Sequence, residues 1–155
     1  METFACYDTE LGLLQVSCTG GAVTFLRWVD EPAHSHTPTV LSDEAAAQVR
    51  QYLAGERKGF DLPVTLTGTA FQQAVWRALD AIPYGETRTY GEIAKTIGRP
   101  GAARAVGAAA GRNPVWLVIP CHRCVGKNGA LTGYAGGLWR KEKLLALEKS
   151  LLTER

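Results

Sequence analysis

Hydrophobic positions change period several times along this chain, and each change marks an element. "LGLLQVSC" and "AVTFLRW" alternate apolar and polar residues with the period of two that half-buries a strand. They meet at Thr19-Gly20-Gly21, where glycine admits positive φ, so the pair predicts a β-hairpin in a small sheet. After the His/Pro-rich stretch "DEPAHSHTP", Ser42 is a cap for a helix whose Ala46, Val49, Tyr52 and Leu53 share one face until Gly55 stops it. "GERKGFDLPVTLTGT" follows neither period and reads as a linker.

Beyond the linker the period becomes helical. Thr69-Ala70-Phe71-Gln72 is a capping box ahead of Phe71, Val75, Ala78, Leu79 and Ile82, and Pro83-Tyr84-Gly85 ends that helix. A second box, Thr89-Tyr90-Gly91-Glu92, opens a short helix carrying Ile93, Ala94 and Ile97; it breaks at Gly98-Arg99-Pro100-Gly101, and Ala102 to Ala110 forms another. Two short helices about a tight glycine turn make a helix-turn-helix candidate. Its second helix, "AARAVGAAAG", has almost no side chains with which to read base edges, Arg104 excepted. Such a helix either packs closely on the core or enters a groove as narrow as the DNA minor groove, about 6 Å wide. The last helix, "RKEKLLALEKSLL", sets Leu144, Leu151 and Leu152 on an apolar stripe, with Glu148 inside it.

Composition narrows the class. The 155 residues are 46% hydrophobic and 21% charged, enough for one domain or two small ones. No apolar run approaches the roughly 20 residues of a membrane span, and the acidic, polar start "METFACYDTE" is unlike a signal peptide, so an intracellular, cytoplasmic protein with no membrane partner is expected. In that compartment four cysteines read as thiols, ligands or nucleophiles rather than as a disulfide framework. The net charge of +2 conceals an asymmetry: residues 1–66 hold 4 Lys/Arg against 9 Asp/Glu, while residues 67–155 hold 13 against 6. The second part therefore suits a polyanion such as nucleic acid.

Chemistry concentrates in "LVIPCHRCVG", Leu117 to Gly126. Zinc needs about four ligands, yet only Cys121, His122 and Cys124 cluster, and Cys6 and Cys18, with His34 and His36 as conceivable companions, lack a paired spacing; no metal is expected. A Cys-x-x-Cys redox pair usually opens a helix in a thioredoxin-type βαβ unit, which these surroundings do not supply. A nucleophile requires a thiolate and a group to take its proton. His122 adjoins Cys121, and Glu148 is a carboxylate on an apolar face, costly unless paired. Two readings of Glu148 stand: it salt-bridges a nearby Arg or Lys, or it orients His122 as the base of Cys121.

Pro120-Cys121-His122-Arg123, preceded by Asn113-Pro114 and followed by Gly133-Tyr134, closely resembles the O6-alkylguanine-DNA alkyltransferases, also called methylated-DNA-protein-cysteine methyltransferases, in their bacterial stand-alone form. The resemblance runs from Phe71 to Glu148 through "PYGETRTYGEIA", "ARAVG", "RNP", "IPCHR", "GYAGG" and "KEKLLALE", whereas the first part carries little of the signature. It implies an α+β protein: a small N-terminal antiparallel sheet domain with a helix over residues 1–66, and a mostly helical, winged-helix-like C-terminal domain with the helix-turn-helix over 67–155.

The implied function is direct-reversal DNA repair by a monomer without a cofactor. An alkyl group moves from O6 of guanine, or O4 of thymine, to Cys121, irreversibly and once. His122 would take the thiol proton through a water, Glu148 would steady the imidazolium, and Asn113 would brace the turn. The helix bearing Arg104, Ala105 and Gly107 would enter the minor groove of double-stranded DNA while the base is flipped out, Arg104 filling the space it leaves. Tyr90 would meet guanine N3 and the target phosphate. Tyr134 and the N–H of Ala135 would line the pocket, Arg123 would belong to the substrate side, and the carbonyls of Cys121 and Cys124 would accept from the exocyclic amine. Three positions depart from the family: Cys124 is normally aliphatic, Trp116 is usually small or proline beside the alkyl pocket, and Ala110 replaces a common Asn. A thiol redox protein using Cys121 and Cys124, and a noncatalytic helix-turn-helix DNA binder, are the rival classes.

Overall fold

The computed structural model of the chain describes residues 1–33 and 35–153. His34, considered above as a zinc ligand, lies outside the described residues. The chain divides into two compact units, Met1–Leu66 with Pro114–Trp116, and Thr67–Asn113 with Leu117–Arg155. Among the described residues no helix is long and apolar enough to cross a membrane.

The first unit is built on three antiparallel strands in sequential order, β1 (Thr3–Thr9), β2 (Gly12–Thr19) and β3 (Ala22–Trp28). The predicted hairpin is β2–β3, with Thr19 opposite Ala22 and both Gly20 (φ 59°) and Gly21 (φ 80°) in the left-handed region that a two-residue turn of this hand demands. β1 escaped the hydrophobic pattern because it alternates weakly: Ala5 alone in it is fully buried. A bulge between Ser17 and Cys18 leaves Thr24 over in β3 and turns both Val23 and Leu26, three residues apart, into the core.

Helix α1 (Val40–Leu53) buries Ala45, Ala46, Val49 and Tyr52 and packs on the sheet. Its cap is Thr39, not Ser42. The Thr39 hydroxyl accepts from the Ser42 N–H at 3.0 Å and the Ser42 hydroxyl accepts from the Thr39 N–H at 2.8 Å, so Ser42 fills the third helical position of a capping box where Glu or Gln is usual. The expected linker is likewise partly structural. Val23 donates to the Pro63 carbonyl at 2.8 Å and accepts from the Thr65 N–H at 3.0 Å. Further along the same edge Leu26 donates to the Pro114 carbonyl and accepts from the Trp116 N–H, both at 2.8 Å. The open edge of β3 is thereby covered by two short segments, which satisfies backbone groups that would otherwise be left bare.

The second unit is mostly helical, as an α+β chain of this pattern requires. α2 (Ala70–Asp80) and α3 (Tyr90–Thr96) begin at the capping boxes read from the sequence, with Thr69 and Thr89 as caps. α4 (Ala103–Gly111) follows one residue later than expected. α2, α3 and α4 pack on one another through Val75, Trp76, Leu79, Ile93, Ala94, Val106 and Ala109, and the Trp76 indole N–H donates to the Ala109 carbonyl at 2.9 Å. Two-residue strands β4 (Arg88–Thr89) and β5 (Cys124–Val125) pair in parallel and fix the end of the Cys121–Arg123 helical turn against the start of α3. α5 (Leu138–Thr153) closes the unit, with Lys141, Leu144 and Glu148 fully buried along one stripe.

Candidate active site

Helix α4 packs on the core with one face and leaves the other exposed. Val106, Ala109 and Ala110 face the core, whereas Arg104, Ala105 and Ala108 are exposed. Packed beside it is a cavity of about 450 Å³. Six of the residues singled out from the sequence line it: Tyr90, Arg104, Gly107, Cys121, Tyr134 and Ala135. Ala103, Ala110, Gly111, Thr132 and Gly133 complete the wall and were not anticipated as lining residues.

Cys121 opens the short helical turn that follows Pro120, and it is only 6% exposed. The turn is braced from two sides. Its own N–H donates to the Ile119 carbonyl at 2.8 Å, and the fully buried Asn113 amide donates to the same carbonyl at 2.8 Å. Asn113 is thus beside the turn, not in the cavity wall.

His122 and Glu148 lie behind the cysteine, both fully buried. His122 Nε2 and Glu148 Oε2 are 2.7 Å apart. Burial holds the imidazole below its usual proton affinity, and Arg123 and Lys141 add to that, against the opposing pull of Glu148. Glu148 has the neighbours that each reading calls for: it contacts His122 and forms an ion pair with Arg123 at 2.9 Å. It also accepts the Gly85 N–H at 3.1 Å.

Arg123 is a correction. Expected on the substrate side, it is buried behind His122, with its guanidinium committed to Glu148 and to the Ile82 carbonyl at 2.7 Å, and it does not line the cavity. Ala105 is exposed on α4 but is likewise not a lining residue. Lys141 was missed. Its ammonium donates to the Gly133 carbonyl at 2.8 Å and stands 5.8 Å from the Tyr90 ring centre, and burial lowers its pKa. The signal was available, since Lys141 precedes Leu144 by three and Glu148 by seven and so shares their stripe.

Cys124 is fully buried in β5, outside the cavity wall, and its thiol pKa is pushed up to about 12 by burial, with Cys121 and Glu92 adding to the effect and Lys141 opposing it. None of the four cysteines is in a disulfide. A thiol so reluctant to ionise is a poor partner for disulfide exchange. Cys124→Val is accordingly expected to keep in full the alkyl acceptance that the resemblance implies, and mild oxidant should inactivate wild type and variant at similar rates. Resistance of the variant, with wild type rescued by a thiol reductant, would make Cys124 a redox partner instead.

Trp116 belongs to the first unit, where it is 2% exposed, packs against Trp28 with ring centres 6.0 Å apart, and carries the Arg27 guanidinium at 4.4 Å. It is not among the residues that line the cavity. Among the described residues no group of three or more His, Cys, Asp or Glu side chains is arranged to hold a metal ion.

With this geometry in hand, similarity to known proteins is informative. Residues 70–150 match the family model described as the DNA binding domain of 6-O-methylguanine DNA methyltransferase, and residues 3–66 match the ribonuclease-like domain of the same proteins. The chain belongs to the 6-O-methylguanine DNA methyltransferase family. Within that family it is 50% identical to the methylated-DNA--protein-cysteine methyltransferase of Mycolicibacterium paratuberculosis, over 96% of this chain and 93% of the relative. The crystal structure of the Mycobacterium tuberculosis O6-methylguanine methyltransferase superposes with a TM-score of 0.90 at 46% identity, covering 100% of this chain and 97% of that one. The OGT of the same organism, crystallised in complex with DNA, superposes with a TM-score of 0.89 at 48% identity, covering 96% and 94%.

Proposed function

We propose that this protein repairs DNA by direct reversal, transferring a methyl or other alkyl group from O6 of guanine in duplex DNA to the sulfur of Cys121, once per molecule. The observation that carries this reading is the position of Cys121 in the wall of a cavity beside the exposed small-residue face of α4, with a buried His122–Glu148 pair behind it. Relatives named as methylated-DNA--protein-cysteine methyltransferases, and one crystallised with DNA, support it.

The chemistry follows from the residues. The Cys121 proton passes to His122, and the sulfur electron pair attacks the alkyl carbon. An S–C bond forms, the C–O6 bond breaks, and guanine leaves with the pair. The alkyl group is itself the electrophile, so neither metal nor cofactor is required. Glu148 steadies the imidazolium and Asn113 keeps the turn in shape. Tyr134, the Ala135 N–H and the Cys121 carbonyl hold the flipped base; Tyr90 crowds the target phosphate, which helps turn the base out, and meets guanine N3, where a hydrogen bond stabilises the charge that develops on the ring. α4 enters the minor groove with Ala105 and Gly107 against the duplex and Arg104 in the vacated stack; small side chains permit that approach. The protein acts as a monomer in the cytoplasm.

Intact-protein mass spectrometry after incubation with an O6-methylguanine duplex tests the reading. One added methyl, mapped to Cys121, is expected. A disulfide as the sole change would identify a redox protein, and no change a DNA binder. Arg104→Ala and Tyr90→Ala should each slow transfer from duplex by about tenfold or more relative to transfer from the free base, since tenfold corresponds to ~1.4 kcal/mol and unstacking a base costs a few kcal/mol. Equal losses on the two substrates would remove both residues from base flipping.

A further inference from the structure

Arg123 follows His122 in the motif, yet it points away from the cavity and is 7% exposed. Its Nε donates to Glu148 Oε1 at 2.9 Å and its Nη2 to Glu148 Oε2 at 3.0 Å, the two-pronged geometry that suits a guanidinium and that an ammonium does not reproduce. The remaining nitrogen, Nη1, donates to the Ile82 carbonyl at 2.7 Å, and the Tyr84 ring centre lies 5.5 Å from Cζ. Glu148 Oε2 is also the atom that meets His122 Nε2. One carboxylate therefore serves a cation and an imidazole at once.

That sharing has a chemical consequence. A buried carboxylate whose sole partner was the imidazole would draw a proton onto the ring, and an imidazolium has no lone pair left with which to accept another. A carboxylate already neutralised by a guanidinium pulls far less. The charged and titratable groups around the ring are Glu148 and Lys141 from α5, Arg123 beside it, and the neighbouring Cys121, while Asp80 from the end of α2 and Tyr84 face Arg123. Burial, Arg123 and Lys141 all disfavour the protonated ring, and Glu148 favours it.

We propose that Arg123 is a positioning residue for alkyl transfer: by engaging both oxygens of Glu148 it keeps His122 a neutral imidazole protonated on Nε2, with the lone pair of Nδ1 ready to receive the Cys121 proton. In the step so prepared the S–H bond breaks, the proton goes to Nδ1 directly or through a water, and the electron pair remains on sulfur. The role rests on the repair reading, but the protonation state of His122 is a property of the reduced protein without DNA and is measured without any transfer.

Side-chain nitrogen NMR of His122 in the reduced full-length chain, titrated from about pH 5 to 8 across the ordinary histidine range, supplies the test. Wild type is expected to show the neutral Nε2–H tautomer at neutral pH, with a midpoint below the ordinary value. Arg123→Met should raise that midpoint by about one pH unit or more, the size of shift that one nearby charge produces, and should move the acid limb of the transfer rate upward with it. Arg123→Lys, which keeps the charge but loses the fork, should fall between. An imidazolium in wild type at neutral pH overturns the proposal. So does a variant that loses rate or stability equally at every pH with the midpoint unmoved, which would make Arg123 mere packing, or one whose defect is confined to DNA affinity. If Arg123→Met fails to fold, the wild-type tautomer and the Arg123→Lys shift still decide. Should His122 titrate as expected while wild type accepts no methyl from duplex, the repair reading fails and the protonation proposal stands.

Discussion

Cys121→Ser is expected to eliminate alkyl acceptance while leaving duplex binding nearly intact. Serine differs from cysteine by one atom, fits the same cavity wall and disturbs neither the Ile119 bond to the Cys121 N–H nor the Asn113 brace. What changes is the nucleophile: a hydroxyl ionises far less readily than a thiol, and an adjacent imidazole that suffices for sulfur does not supply an alkoxide to attack an unactivated alkyl carbon. The exposed face of α4 and its Arg104 are untouched, so affinity for duplex should persist and should still weaken as salt rises, because each phosphate contact releases counterions. Mass spectrometry and a fluorescence binding titration with the same O6-methylguanine duplex separate the two effects. Methyl gain by the serine variant would place the acceptor elsewhere and remove the basis of the functional assignment.

Glu148→Ala is expected to cost about 3–5 kcal/mol of stability, because removing one member of a buried charge pair leaves the other without compensation. The side chain lost is fully buried, and it takes with it the partner of His122, both bonds from Arg123 and the acceptor for the Gly85 N–H. Arg123 would then keep the Ile82 carbonyl, the Tyr84 ring and the more distant Asp80, in a setting where a guanidinium without a contacting carboxylate is poorly solvated. Transfer should fall as well, since the imidazole loses the group that orients it. Urea unfolding measures the first effect. A variant within about 1 kcal/mol of wild type would be behaving like an exposed ion pair, and the buried network described here would not be what holds α5 to the Cys121–Arg123 turn. Glu148→Gln keeps the shape and removes the charge, so comparing the two separates lost packing from lost electrostatics.

Local chemistry in the sequence determined a large share of this protein. Thr69 with Gln72, and Thr89 with Glu92, start α2 and α3 because a capping box needs nothing beyond four consecutive residues. Gly20-Gly21 makes the β2–β3 turn because two adjacent residues must take positive φ. Glu148 announced its own burial by standing in an apolar stripe, and the residues about Cys121 carried the family likeness before any fold was known. Tertiary structure alone decided the rest, since it depends on partners remote in the chain. Ser42 looked like a cap until Thr39 was seen to supply one. β1 has too few buried positions to show a period, and the segments at Val64 and Val115 become strand-like only where the bare edge of β3 offers backbone groups to pair with. Arg123 is the clearest case: the resemblance implies a place on the substrate side, and only the arrival of Glu148, 25 positions later on α5, turns it inward as the counter-charge of a buried carboxylate. Neighbours in sequence suffice to specify caps and turns, but where a long charged side chain goes is settled by which opposite charge the fold brings within reach.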